Sequence, residues 1–203
     1  MSEKIFAANW KMYLNDKESK EFISRITSNK EFFSEFNIMI FPNHLSIAAV
    51  QDLAKDLPNI KIGMQDCDAS TSGAITGSNS ITSLDVDSCI VGHSERRNVF
   101  NESNEIIKSK LNNCLNNIDS VILCVGEQLD EKEQNKTFEI IQKQLSILPK
   151  ELNGKNLIIA YEPVWAIGTG LVASKEYIDD VLSYINNLIK ELYSEENCSN
   201  ISL

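Results

Sequence analysis

Short apolar runs alternate along the chain with longer stretches in which apolar residues recur every three or four positions. The short runs predict strands over 4–8, 37–41, 59–65, 87–92, 120–126 and 156–162. The longer ones predict helices over 16–29, 44–55, 101–117, 133–148 and 175–193. Their inward faces are expected to carry Phe22, Ile23 and Ile26; Leu45, Ala48, Ala49 and Leu53; and Ile106, Ile107, Leu111 and Leu115. Residues 200–203 begin a further apolar run. Strand and helix alternate with no hairpin signal, which requires parallel strands joined by helical crossovers. The class is α/β. Periodicity leaves a doubly wound open sheet and a closed barrel equally open.

Composition narrows the function rather than the fold. The 203 residues suit one large domain in preference to two small ones, and are 42% hydrophobic and 24% charged, with a formal net charge of -10 and no Lys/Arg-rich run. A nucleic-acid partner therefore has no electrostatic support. The amino terminus lacks a basic segment followed by an apolar one, and no apolar run is long enough to span a bilayer, so a cytoplasmic location is expected, without membrane contact. Five cysteines, odd in number and without Cys-x-x-Cys spacing, argue against a disulfide framework and a zinc site; reduced, mostly buried thiols are expected.

The chemistry lies at the strand ends. In a parallel α/β protein all carboxyl ends of the strands lie on one face, where ligand sites are built. Here they carry Asn9 and Lys11, Gln65, His93 with Glu95, Cys124 and Glu127, and Glu162. Pro163 lacks an amide hydrogen and biases its neighbour towards an extended conformation, so the sixth strand should stop on Glu162. Beyond it, Trp165 and the glycine-rich Gly168-Thr169-Gly170 have the composition of a hinged loop over a base. His93 stands between a buried strand and the start of a helix expected to be capped by Ser94; the positive end of that helix favours a neutral ring.

The same residues have plainer readings. Taken singly, Lys11 is a solvated charge, Glu162 a loop acid, and Cys124 a packed thiol rather than a nucleophile. His44 reads as a residue at a helix start without a role. Arg96 and Arg97 read as partners in structural ion pairs. Asp66 and Asp68 lack the spacing of a calcium loop.

Five segments together resemble triosephosphate isomerase. They are Ala8 to Met12, Ser72 to Gly77, Ile90 to Arg97, Cys124 to Glu127 and Ala160 to Gly170. Their order and spacing match that family from the first strand to the last residue. The resemblance implies a (β/α)8 TIM barrel, a single domain over 1–203, truncated within the seventh β/α unit. In the family, further loops and an eighth strand supply most of the backbone amides that grip the phosphate.

It also implies an activity: interconversion of dihydroxyacetone phosphate and glyceraldehyde 3-phosphate through an enediolate, in glycolysis and gluconeogenesis, with no metal and no cofactor. Glu162 is the implied base, its basicity raised by a closed apolar site. His93 is the implied electrophile and proton shuttle, and Lys11 the electrostatic stabiliser. Asn9, Lys11 and Gly168 would touch substrate, and Glu95 and Cys124 would support them. Pro163, Val164, Trp165, Ala166, Ile167, Gly168, Thr169 and Gly170 would form a mobile lid. The 66–77 loop, through Thr71, Gly73, Thr76 and Gly77, would insert into a partner subunit and make a homodimer; Ser78 stands where the family often has a Glu that forms an ion pair between subunits. The competing readings are a catalytically inactive or truncated barrel that binds phosphate or has a structural role, and an unrelated sugar-phosphate barrel enzyme using a metal or a Schiff-base lysine.

Overall fold

The computed structural model describes residues 4–194 and 198–203. Residues 1–3, part of the reading against an export signal, lie outside the described residues. The strands are β1 (Ile5–Asn9), β2 (Asn37–Phe41), β3 (Ile60–Met64), β4 (Ser88–Val91), β5 (Ser120–Val125), β6 (Asn156–Tyr161) and β7 (Ile201–Ser202). They form one sheet in sequence order, and every paired neighbour is parallel. Between them run α1 (Asp16–Ser28), α2 (Lys30–Phe33), α3 (Ile47–Ala54), α4 (Ser94–Asn98), α5 (Asn104–Asn117), α6 (Leu129–Glu133), α7 (Thr137–Leu145) and α8 (Lys175–Leu192).

β2, β4, β5 and β6 alternate between two cores. Ile38 and Ile40, Cys89 and Val91, Val121 and Leu123, and Leu157 and Ile159 pack towards the helices. Met39 and Phe41, Ile90, Ile122 and Cys124, and Ile158 and Ala160 form a separate inner cluster. Side chains from β2 can join those of β4, β5 and β6 only if the sheet curls around them, as in a barrel wall. Gly63 makes room for this: a Cβ there would lie 2.4 Å from the Phe41 ring and 2.6 Å from the Ser88 carbonyl. β1 and β7 do not pair with one another.

Several expected faces and ends differ. Leu45 is 91% exposed and Ala48 is also outside, because α3 buries Ile47, Val50 and Ala54 instead. Both faces of that helix are apolar, and the one with two β-branched residues removes more area from water than one with two alanines. Phe22 and Ile106 are likewise exposed, while Ile23, Ile26, Ile107 and Leu111 are buried as expected. The helix expected over 133–148 is shorter, α7 at Thr137–Leu145, and the separate α6 precedes it with Asn135 between them in the left-handed conformation at φ 56. Asparagine tolerates that region, so its side chain gave no hydrophobic signal of the break. The cap of α4 is His93, not Ser94.

Candidate active site

The parallel register delivers Asn9, Gln65, His93, Glu127 and Glu162 to one side of the sheet, since each lies at or just beyond a strand's carboxyl end. Glu162 extends the ladder of β6 by one bond, its N–H donating to Val125 at 2.8 Å. That approach depends on Gly126, where a Cβ would stand 1.8 Å from the Glu162 carbonyl oxygen. The carboxylate receives two hydrogen bonds, from His93 Nε2 to Oε1 at 3.0 Å and from the Ser94 N–H to Oε2 at 2.9 Å. Burial pushes its pKa up, but the hydrogen bonds from His93 and from Ser94 outweigh it and hold Glu162 below the usual carboxylate value. The expected rise in basicity is therefore absent in this arrangement, because the carboxylate is tied to donors.

His93 caps α4 with its own ring: the Glu95 N–H donates to Nδ1 at 3.2 Å. A nitrogen that accepts carries no proton, so this bond assigns the ring proton to Nε2, the atom facing Glu162. Glu95 also reaches the third group, its Oε1 accepting from Lys11 Nζ at 2.8 Å while its Oε2 lies 3.5 Å from His93 Nδ1. Lys11, Glu95, His93 and Glu162 thus form one continuous chain of contacts.

Lys11 is held in a conformation that costs a non-glycine residue about 1 kcal/mol or more, with φ at 51. Side chains from two strand ends fix it. The Lys11 N–H donates to Asn9 Oδ1 at 2.9 Å, and its carbonyl accepts from Gln65 Nε2 at 2.9 Å. With Oδ1 engaged, the Asn9 amide nitrogen is the atom left to donate outward. Lys11, Asn9, Gln65, His93 and Glu95 line a cavity of about 810 Å³. Glu162 lines a smaller neighbouring one of about 340 Å³, with Gly126 and Val164.

The segment after Glu162 has a buried anchor at Trp165 and an exposed crest over 167–170. Trp165 donates to Glu127 Oε1 at 2.7 Å, and the hydroxyls of Tyr177 and Tyr161 reach the same fully buried carboxylate at 2.8 Å and at 3.0 and 3.1 Å. Gly168 and Gly170 have φ of 70 and 80 and nothing within 4 Å of where a Cβ would stand. Gly168, expected at the substrate, lines neither cavity here. In the 66–77 stretch Thr71, Gly73, Thr76 and Gly77 are all exposed, and an Asp68–Asn79 backbone bond of 2.8 Å closes its base.

Of the supporting residues, Cys124 is packed in the inner cluster, and burial pushes its thiol well up, as befits a packing group. Arg96 does make ion pairs, with Glu102 and with Asp66 at 3.2 Å. Arg97 instead bonds the Gly92 carbonyl, Asn104 and the Cys124 carbonyl. His44 lies 3.1 Å from the Asp66 carbonyl, which fits a structural role. Three features escaped sequence reasoning: the clamp by Gln65, the Ser94 N–H on Glu162, and the role of Glu127. Gln65 and Glu127 were visible as polar residues ending apolar strands; a backbone donor has no sequence signal.

The triosephosphate isomerase family profile matches residues 4–203. The chain is 42% identical to the triosephosphate isomerase of Dictyoglomus thermophilum over 203 residues, covering 97% of this chain and 81% of that protein. With the Aquifex aeolicus triosephosphate isomerase it shares 40% identity over 194 residues, 93% of this chain and 78% of that one. For the Clostridium botulinum Loch Maree triosephosphate isomerase the figures are 34% over 209 residues, 100% and 84%. A match across nearly the whole chain, with the curled parallel sheet and the cluster at its strand ends, has one reading: this chain belongs to the triosephosphate isomerase family.

Proposed function

We propose that the chain interconverts dihydroxyacetone phosphate and glyceraldehyde 3-phosphate, with Glu162 as base, His93 as electrophile and Lys11 as electrostatic stabiliser. The observation that carries this is the chain of contacts from Lys11 through Glu95 and His93 to Glu162, at 2.8, 3.5 and 3.0 Å. Glu162 leaves its bonds to His93 and Ser94 and takes a proton from the hydroxyl-bearing carbon. The His93 Nε2 proton, freed from Glu162, is donated to the substrate carbonyl and moves between the two oxygens of the enediolate. Lys11 offsets the negative charge that develops there and that of the phosphate. Glu162 returns its proton to the adjacent carbon, so substrate and product differ in one hydrogen moved between neighbouring carbons and one moved between their oxygens.

The 163–170 segment acts as a lid in this scheme. Its start is anchored through Trp165 to Glu127, and its positive-φ glycines, Gly168 and Gly170, allow the crest to swing over the phosphate. Closure excludes water and protects the enediolate from losing phosphate. The protein works as a homodimer: Met12, Tyr13, Ile75, Val99 and Phe100 leave large apolar side chains exposed near the 66–77 loop. Such clustering favours a partner surface. No helix among the described residues is long and apolar enough to cross a membrane; the cytoplasm suits a small phosphorylated substrate.

The inert-barrel reading is the weaker one, since a structural protein has no need of a strained Lys11 clamped from two strands. The experiment is a coupled assay in both directions on the purified protein, its Glu162→Asp variant and its His93→Asn variant. Turnover by the parent chain and its loss in both variants is expected; a parent chain without turnover overturns the proposal.

A further inference from the structure

Three of the five cysteines, far apart in sequence, meet in the core between sheet and helices. Cys67 follows β3, Cys89 is the second residue of β4, and Cys114 lies on α5. Their sulfurs all lie within 4.8 Å of one another, with Cys67 and Cys114 at 3.2 Å. All are buried, Cys89 and Cys114 at 0% exposure. The main chain fixes the frame: Cys89 is in register with Met64 on one side and Val121 on the other, and Cys114 shares its helix face with the buried Ile107 and Leu111.

We propose that Cys67, Cys89 and Cys114 form a three-sulfur site for a soft closed-shell metal ion of the copper(I) type. With metal–sulfur bonds of about 2.3 Å, a trigonal centre needs sulfurs about 4 Å apart, so small side-chain shifts suffice. Thiolates select soft ions, and zinc asks for a fourth ligand. Among the described residues no other His, Cys, Asp or Glu joins the group. The nearby Asp66 already accepts from Lys110 at 2.8 Å through both oxygens. Each ligating thiol gives up its proton to solvent on binding. Cys67 also lines the 810 Å³ cavity, which gives an ion a route to the first ligand.

The site is tested on the whole reduced protein under anaerobic conditions, titrated with copper(I) from a competing chelator and, in parallel, with zinc(II). One copper(I) per chain is expected, with a metal-edge X-ray absorption spectrum of three sulfur neighbours and no nitrogen or oxygen. Cys67→Ser, Cys89→Ser and Cys114→Ser should each weaken it on the order of 100-fold or more, the upper range for disturbing even an outer partner of a metal ligand. Cys198→Ser should leave it unchanged. Where a serine variant does not fold, the spectrum of the unsubstituted protein decides. Nitrogen or oxygen neighbours, zinc uptake in place of copper(I), unchanged binding in all folded variants, or only a Cys67–Cys114 disulfide after peroxide with no metal uptake would each overturn the proposal.

Discussion

His93 Nε2 stands 3.0 Å from Glu162 Oε1, and the Glu95 N–H on Nδ1 leaves Nε2 as the nitrogen that carries the ring proton. The base and the electrophile of the proposed reaction therefore occupy one another before substrate arrives. Substrate has to replace the bond between them, and the pH behaviour of the free protein should record it.

Glu162 is held below the ordinary carboxylate value of 4.5. A depressed carboxylate contributes stability that is complete above its unfolded pKa and fades as pH falls through the lower folded one. The stability advantage of the parent chain over Glu162→Gln should thus shrink only below about pH 4.5. The acid limb of kcat/KM, which reports the free enzyme, should show no Glu162 titration above that pH. His93→Asn removes the imidazole donor and should move the Glu162 titration upward, visible by carboxyl-carbon NMR. An unchanged titration in that variant would show that His93 does not hold the carboxylate.

Shortening the base tests its placement. Glu162→Asp withdraws the carboxylate by roughly 1 Å, and misplacement on that scale costs about 100-fold in rate. The loss should appear in kcat with KM little altered. A variant within threefold of the parent would remove Glu162 from the role of base.

Gly126→Ala forces a methyl group into the Glu162 carbonyl, 1.8 Å away. Overpacking of this kind costs about 1–3 kcal/mol, so the melting temperature should drop measurably. Activity should fall further than the stability loss explains, because Glu162 itself is displaced.

Glu127→Gln replaces a carboxylate that accepts from Trp165, Tyr161 and Tyr177 with an amide whose nitrogen cannot accept. Leaving a buried donor unpaired costs about 1–3 kcal/mol. Since Trp165 begins the proposed lid, KM should rise as well, and Trp165 fluorescence should report a looser indole. Lower stability with unaltered kinetics would confine Glu127 to a structural role.

The sequence was legible where one residue type settles a backbone fact. Pro163 after a buried run stops β6 at the base, and alternating apolar runs supply six of the strands and their single shared face. It was not legible where the deciding partner is distant. Lys110 carries no local sign of its partners Asp66 and Glu102, which stand beside it at 2.8 and 2.6 Å. α3 offered two apolar faces, and only docking on the sheet chose between them. His93 as its own helix cap, and three cysteines without motif spacing in one cluster, arise from turns and crossovers that no local pattern encodes.

The most direct test of the central claim follows a single hydrogen. Dihydroxyacetone phosphate is incubated with the protein in deuterium oxide, and the glyceraldehyde 3-phosphate formed is read by proton NMR. Proton transfer through Glu162 predicts product carrying solvent deuterium at the carbon next to the aldehyde, with product formation falling about 100-fold in Glu162→Asp. No product, or product formed at an undiminished rate by that variant, would contradict the account.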